Sequence, residues 1–378
     1  MRKVITAFNK LLPKYKNKVV FYGRSRYDSN HHALIRYMID NGYTDKYKLY
    51  LVVSNENDLA FYSGVKNVYP VRSAAMGAYH TLTAKYVFHG FGMGKMASRI
   101  PQKQIVFDLW HGTTIKSLGD GHGADYAKQS TYMLATSEFA KNSFKGCFGY
   151  SDEQFFIGGY PRCEQLVDNS DALKQLGIDK EAYNKTVLYM PTFRKAPQFG
   201  YDDSSVDFPL FDEQSLREFD KYLCGKGVLF IIKPHPAQDN IQILKGDFTN
   251  IKIIKNSDLS EKRILLYSLV GQTDLILTDY SSIYFDFLLT QKPIGFIIDD
   301  IEDYSDKRGF VVDNPLDYMP GEKIRDIDGL KNFLDGILSG NDDWADERRR
   351  VNDIVNFDKS FEFSKKILDF VGITKERV

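Results

Sequence analysis

Alternating strand-like and helix-like patterns predict an α/β fold of parallel, doubly wound sheets arranged in two domains. Three observations carry that prediction. Short apolar runs recur along the chain and end in Gly, His, Pro or hydroxyl residues, each leading into a helical pattern, as at residues 18–23 before 33–38 and 275–277 before 283–289. The length, 378 residues, suits two domains better than one. The composition, 43% hydrophobic and 26% charged, belongs to an ordinary globular chain with enough apolar residues for two cores.

The same composition narrows the function classes. Lys plus Arg and Asp plus Glu each number 50, so net charge gives no case for a nucleic-acid partner. Cys147, Cys163 and Cys224 are dispersed, odd in number and lack CxxC spacing. They read as free thiols of a reducing cytoplasm, not as a disulfide frame or a zinc site. The apolar groups near the N-terminus are interrupted by Lys and Asn, which argues against a signal peptide, and no apolar run is long enough to span a bilayer.

Residues 1–18 are basic and amphipathic. Val4, Ile5, Phe8, Leu11 and Leu12 share one helical face, and Arg2, Lys3, Lys10, Lys14, Lys16 and Lys18 supply the charge. Such a segment either lies on an anionic membrane surface or packs as a helix on its own domain. Strands are expected at 18–23, 47–53, 67–71, 84–89 and 104–110, with helices at 33–38 and 74–82. His31 and His32, at a helix start, read as structural. Gly90-Phe91-Gly92-Met93-Gly94 is half of a dinucleotide fingerprint, with no clear helix or ribose-binding acid at the required distance. A strand over 132–137 ends in a cap for a helix at 138–144, and Arg162 after Gly159-Tyr160-Pro161 sits near a hinge, serving either substrate or a salt bridge. The polar helical segment 171–184 reads as the link between domains. Beyond it lie strands at 186–190, 227–233, 250–254 and 292–298, and a helix at 261–268. Residues 198–212 form a loop in which Asp202 and Asp203 are not metal ligands. The acid run from Asp299 to Tyr304 could hold a divalent cation, but reads rather as a polar loop, 324–378 is helical, and 342–350 is a charged, solvated face.

Open α/β sheets hold ligands at the carboxyl ends of their strands. Strand 104–110 ends at His111, placed to act as a base or to hold a phosphate. Gly112 permits close backbone approach, and Thr113, Thr114 and Lys116 could hold an anion. Strand 227–233 ends at Pro234-His235-Pro236, where two prolines stiffen the loop that presents His235. Strand 275–277 ends in Thr278-Asp279-Tyr280-Ser281-Ser282. Hydroxyls beside the unsatisfied first N–H groups of a helix make an anion site. The alternative is that one Ser simply caps the helix. Asp286, about one turn further in, could take a ribose hydroxyl. Arg194 follows another strand end, and Arg308 could give planar phosphate contacts.

Trp110-His111-Gly112-Thr113, Tyr189-Met190-Pro191-Thr192-Phe193-Arg194, Lys233-Pro234-His235-Pro236, Thr278-Asp279-Tyr280-Ser281-Ser282 and Arg308-Gly309-Phe310 occur in this order. Together they resemble the CDP-glycerol glycerophosphotransferase family of teichoic acid primases and polymerases. The likeness departs at Thr114, where the family usually has Pro, and at Phe193, where it usually has Trp. It implies a GT-B-like fold of two Rossmann-like doubly wound domains facing a central cleft. The boundaries expected are 1–175 for an acceptor-side domain, 185–350 for a nucleotide-binding domain, and 351–378 for a C-terminal helix. The implied reaction moves glycerol phosphate, or a related polyol phosphate, from CDP-glycerol to a hydroxyl of a polyprenyl-diphosphate-linked saccharide or a growing polyol-phosphate chain, releasing CMP.

In that scheme His111 is the general base and His235 acts on the donor diphosphate. Thr278, Ser281, Ser282, Arg308 and Arg194 hold donor phosphates, and Asp286 takes a ribose or glycerol hydroxyl. Gly112, Thr113 and Lys116 serve the acceptor side. No cofactor or metal is expected beyond the donor substrate, and the implied location is peripheral, on the cytoplasmic face of the membrane. The rival readings are a GT-B glycosyltransferase or epimerase acting on a UDP-sugar, and a non-catalytic nucleotide-binding scaffold.

Overall fold

The computed structural model describes residues 9–24, 29–54, 61–93, 103–117, 126–192, 210–234, 246–299 and 301–375, apart from the side chains of Arg24, Asp303, Asp306, Lys307 and Arg308. The chain divides into two units. The first comprises Met1–Thr113, Leu118–Gln165 and Val355–Val378, and the second Thr114–Ser117 and Leu166–Ile354.

The first unit is built on β1 (Tyr15–Arg24), β2 (Lys48–Val53), β3 (Val68–Val71), β4 (Ala84–His89), β5 (Ile105–Asp108), β6 (Tyr132–Ala135) and β7 (Phe155–Ile157). They pair in parallel in the order β3-β2-β1-β4-β5-β6-β7. The order reverses direction between β1 and β4, the position where open sheets bind ligands. Its helices include α1 (Ser29–Asp40), α2 (Ala74–Thr83) and α3 (Glu138–Phe148). Local chemistry sets the ends of α3: Ser137 Oγ accepts the Ala140 N–H at 3.3 Å, and Gly149 closes the helix in the left-handed conformation.

The second unit holds β8 (Lys185–Tyr189), β9 (Val228–Ile232), β10 (Ile251–Ile253), β11 (Leu275–Thr278), β12 (Ile294–Ile297) and β13 (Glu322–Ile324), all parallel, in the order β10-β9-β8-β11-β12-β13. Here the switch falls between β8 and β11. β9, β11 and β12 are buried along their whole length, as expected of parallel strands covered on both faces. The surrounding helices are α4 (Ala172–Gln175), α5 (Glu213–Lys226), α6 (Asn256–Glu261), α7 (Leu266–Gln272), α8 (Ile283–Phe287), α9 (Ile301–Arg308), α10 (Ile327–Leu338) and α11 (Ala345–Val355). The chain then returns to the first unit with α12 (Phe363–Phe370).

Several expectations are corrected. The N-terminal part of the first unit runs to Gln165, not to 175, and the presumed link 171–184 belongs to the second unit. Ala172 and Leu173 are buried there, Leu173 N donates to Gln272 Oε1 at 2.9 Å, and Lys180 Nζ donates to Gln272 O at 2.7 Å. Val355–Val378 is no separate appendage but part of the first unit. The helix expected at 261–268 is two helices, broken where Arg263 adopts φ +55°. Ile301–Tyr304 of the acid run lies at the start of α9 instead of in a loop, and Glu322–Ile324 is an edge strand that the sequence did not announce. In the charged stretch 342–350, Arg348 is buried. It pairs bidentately with Asp342 and donates to Gln291 O at 3.2 Å, so one strong charge is drawn into the fold by a fork of donors. Within residues 1–18, β1 begins at Tyr15 and takes Lys16 and Lys18 out of any helix; residues 1–8 lie outside the described residues. His31 is fully buried and His32 Nδ1 lies 2.8 Å from Tyr62 Oη, the structural roles expected of both.

Candidate active site

In the first unit the site is the turn that follows β5. Trp110 takes φ +49°, a left-handed conformation that costs a bulky residue about 1–2 kcal/mol, and Gly112 takes φ +143°. A Cβ at residue 112 would meet that strain, so glycine is required there. Four contacts hold the backbone. Asp108 Oδ1 accepts the Trp110 N–H at 2.9 Å. Asn30 Nδ2 donates to Trp110 O at 3.0 Å and to Leu109 O at 3.4 Å. Arg162 Nη1 donates to His111 O at 2.9 Å.

The turn leaves His111 exposed. Its ring stacks on Trp110, with centroids 3.9 Å apart, and on Phe91 at 5.1 Å. His111 Nδ1 lies 3.2 Å from Gly90 O. A carbonyl only accepts, so Nδ1 carries the proton and the neutral ring keeps its basic lone pair on Nε2. The neighbouring His89 is buried and bonded the other way. Gly92 N donates to its Nδ1 at 3.2 Å, Asp108 Oδ1 lies 3.5 Å from the same nitrogen, and its Nε2 lies 2.7 Å from Ser130 Oγ. Of the two, His89 closes β4 and is buried, and His111, after β5, is presented outward.

The neighbours of His111 are placed differently from one another. Gly112 has the positive φ that only glycine adopts easily. Thr113 is buried, and its hydroxyl meets Thr136 Oγ1 at 2.8 Å, which donates on to Val355 O at 2.6 Å, so Thr113 is tied into the fold. Lys116, expected on the acceptor side, belongs to the second unit. It forms an antiparallel bridge with Phe310, flanked by Ser117 N to Gly309 O at 3.0 Å and Val311 N to Ile115 O at 2.7 Å. Backbone pairing therefore groups Lys116 with the Arg308-Gly309-Phe310 motif.

In the second unit the site lies at the β8/β11 switch. Asp279 is fully buried, and its carboxylate accepts from Thr192 N at 2.7 Å, from the Thr192 hydroxyl, and from Ser281 N at 3.1 Å. One side chain thus stitches the loops after β8 and β11 together. Thr278 is also buried and donates to Met190 O at 2.8 Å, which gives it a structural job in place of the phosphate contact expected. Ser281 and Ser282 are half-buried and stay at the rim. Ser282 is the N-cap residue of α8 but makes no side-chain cap, and α8 spans only Ile283–Phe287 before a 3₁₀ turn, shorter than the helix expected to 289. Asp286 is buried and accepts from Tyr267 Oη at 2.5 Å, so its carboxylate is spent inside the unit instead of open to a ribose. Lys233 Nζ donates to Asn256 Oδ1 at 2.9 Å. His235 and Arg194, and the side chain of Arg308, lie outside the described residues. Among the described residues no group of His, Cys, Asp and Glu could hold a metal ion.

Sequence reasoning missed Asn30, Asp108 and Thr192 as site residues and misjudged Arg162. Thr192 lies inside a named motif and Asp108 two residues before one, which is a usable signal; Asn30, some 80 residues before the turn it holds, gave none.

Two parallel-sheet units, one presenting a strand-end histidine and the other strand-end serines, give a GT-B-like fold. The match of residues 4–372 to the family described as CDP-glycerol:poly(glycerophosphate) glycerophosphotransferase makes it specific: the chain belongs to that family. Its relatives include the teichoic acid poly(glycerol phosphate) polymerase of Bacillus spizizenii strain W23, 26% identical over 354 residues, or 85% of this chain and 86% of the relative. They also include the teichoic acid glycerol-phosphate primase of Bacillus subtilis strain 168, 34% identical over 206 residues, or 54% of this chain and 48% of that protein. The wall teichoic acid polymerase TagF shares the fold, with a TM-score of 0.76 at 19% identity, covering 98% of this chain and 92% of that one. A UDP-N-acetylglucosamine 2-epimerase from Listeria monocytogenes is more distant, with a TM-score of 0.54 at 11% identity over 94% of this chain and 95% of that one.

Proposed function

We propose that the protein transfers glycerol phosphate from CDP-glycerol to a hydroxyl of a polyprenyl-linked saccharide or a growing teichoic acid chain. The acceptor oxygen attacks the β-phosphorus in line, the bond from that phosphorus to the bridging oxygen breaks, and CMP leaves with the electron pair. The acceptor proton passes to His111 Nε2. The observation that carries this reading is the outward His111 with its Nδ1 proton committed to Gly90 O at 3.2 Å, which leaves the other nitrogen as the base. Ser281 and Ser282 contact the donor phosphates, with Arg194, Arg308 and His235 assigned to the same charge by their motifs. Phosphoryl transfer asks chiefly for positioning and charge stabilisation, so the reading requires no metal.

CMP release from CDP-glycerol, with and without a lipid-linked saccharide and with EDTA, tests the proposal. Acceptor-dependent release that survives EDTA supports it. Release with CDP-ribitol alone changes the donor, and UDP release from a UDP-sugar with silence toward CDP-alcohols moves the protein to the glycosyltransferase reading.

We place the protein peripherally on the cytoplasmic membrane face. Among the described residues no helix is long and apolar enough to cross a membrane. Residues 1–27 and 59–107 contain 14 Lys and Arg but no Asp or Glu, in a chain of zero net charge. Tyr15, Met76 and Tyr79 are exposed in this acid-free part. Lys18 Nζ lies 4.9 Å from the centres of the Tyr15 and Tyr79 rings, and burial, with Lys48 beside it, lowers its pKa to about 8. Exposed aromatics in a segment that carries basic but no acidic residues of its own fit an anionic lipid surface, although Lys66 pairs with Asp45 at 3.2 Å and Lys18 is buried. Co-sedimentation with phosphatidylglycerol vesicles that is lost in high salt supports the placement; equal binding to phosphatidylcholine vesicles counts against it.

A further inference from the structure

We infer that Asn30 is a positioning residue for His111. The inference rests on the reading of His111 as the base. Asn30 is the second residue of α1 and is fully buried. Its side chain makes bonds in two directions. The amide nitrogen donates to the carbonyls of Leu109 and Trp110, at 3.4 and 3.0 Å. The amide oxygen accepts the Arg162 N–H at 3.3 Å, and the Arg162 guanidinium donates to the carbonyl of His111 at 2.9 Å. Three consecutive carbonyls, 109 to 111, are therefore aimed by one asparagine and by the arginine it seats.

These carbonyls flank the one described non-glycine residue of the turn with positive φ, Trp110, whose ring is also the surface on which the imidazole lies. A backbone held away from its preferred basin relaxes once its restraints go. Relaxation would rotate the 110–111 peptide, carry His111 Nδ1 away from Gly90 O and free the proton to move to Nε2, the nitrogen that must accept. Only a group that donates and accepts can fill this place, which is why an acid of the same shape should fail. Asn30 touches neither substrate nor His111 itself, so its effect reaches the reaction through the orientation and tautomer of the ring.

The test compares Asn30→Asp, Asn30→Ala and Arg162→Gln with the wild-type chain and with His111→Ala. Asn30→Asp keeps the shape and loses the two donated bonds. We expect kcat for acceptor-dependent CMP release to fall about 10²-fold, the scale of a misplaced catalytic group. The KM for CDP-glycerol should stay within about twofold. Nitrogen-15 spectra of labelled histidine, with His111→Ala identifying the resonance, should show the Nδ1-protonated form in the wild type and its loss in both Asn30 variants. Arg162→Gln leaves the Asn30 bonds to Leu109 and Trp110 in place, removes the guanidinium's bond to His111 O together with its place over the Tyr160 ring, and should give a smaller fall in kcat, a safeguard should an Asn30 variant not fold. The proposal is overturned if folded Asn30 variants keep wild-type kcat, if kcat falls while the histidine signature is unchanged, or if kcat, KM and melting temperature deteriorate together. His111→Ala retaining turnover would overturn the reading of the base, whatever the Asn30 variants show.

Discussion

The turn after β5 and the turn after β11 use the same kinds of residue in opposite ways. At the first, the histidine side chain is exposed, and the polar groups that hold its backbone, Asn30, Asp108 and Arg162, are buried. At the second, the motif's own polar side chains turn inward. Thr278, Asp279 and Asp286 are spent on the fold, and only Ser281 and Ser282 remain at the rim. A strand-end motif thus contains both presenters and holders, and residue type does not say which is which. Buried polar groups must be satisfied, so a holder announces itself only once its partners are known.

The largest effect that would sharpen the contrast comes from the presenter. His111→Ala should lower kcat by about 10²–10⁴-fold and leave CDP-glycerol binding and the melting temperature close to wild type. Loss of stability with turnover intact would make His111 a holder after all. Asp279→Ala should do the reverse. It strips Thr192 and Ser281 of a buried acceptor and should cost about 2–4 kcal/mol in urea unfolding. A folded variant of unchanged stability but raised donor KM would turn Asp279 into a presenter.

Next in size is a pH effect in the first unit. Ser364 N and Oγ donate to the Glu164 carboxylate at 2.7 and 2.6 Å, fixing the start of α12, and burial pushes the Glu164 pKa from about 4.5 up to about 7 despite those bonds. The folded form then holds a proton that the unfolded chain has already lost. The contribution is complete below pH 4.5, fades as pH rises and is gone above 7, an amplitude of at most about 3 kcal/mol. Unfolding free energies from pH 5 to 8 should therefore decline more steeply for the wild type than for Glu164→Gln; parallel curves would refute the assignment. The smallest effect belongs to Tyr267→Phe, which should cost about 1 kcal/mol and leave the donor KM unchanged. A raised KM with no change in stability would return Asp286 to the ligand.

Much of the architecture was legible because parallel strands buried on both faces are written as continuous apolar runs: Val228–Ile232 and Leu275–Thr278 stand out from their surroundings. His111, with Gly112 beside it, was legible because a strand end is a place of known meaning. What stayed hidden depended on contacts distant in sequence. The bridge of Lys116 to Phe310, the seat of Arg348 against Asp342 and Gln291, and the reach of Asn30 to residues 109 and 110 leave no periodic trace. Glu322–Ile324 is three residues with two charges, too short and too polar to read as a strand.

The chain's path between its two units bears on how such a protein can change over generations. Thr114–Ser117 is lent to the second unit, and Val355–Val378 is handed back to the first. A gene exchange with one breakpoint near residue 165 would give the first unit a foreign α12, whose Phe363 ring must lie where a Cβ on Gly159 would come within 2.2 Å of it. The same exchange would set a foreign Gly309–Val311 segment against the native 115–117. The two halves are therefore inherited as a linked pair, and new donor or acceptor preferences are more readily reached by point substitution at the strand ends than by swapping whole units.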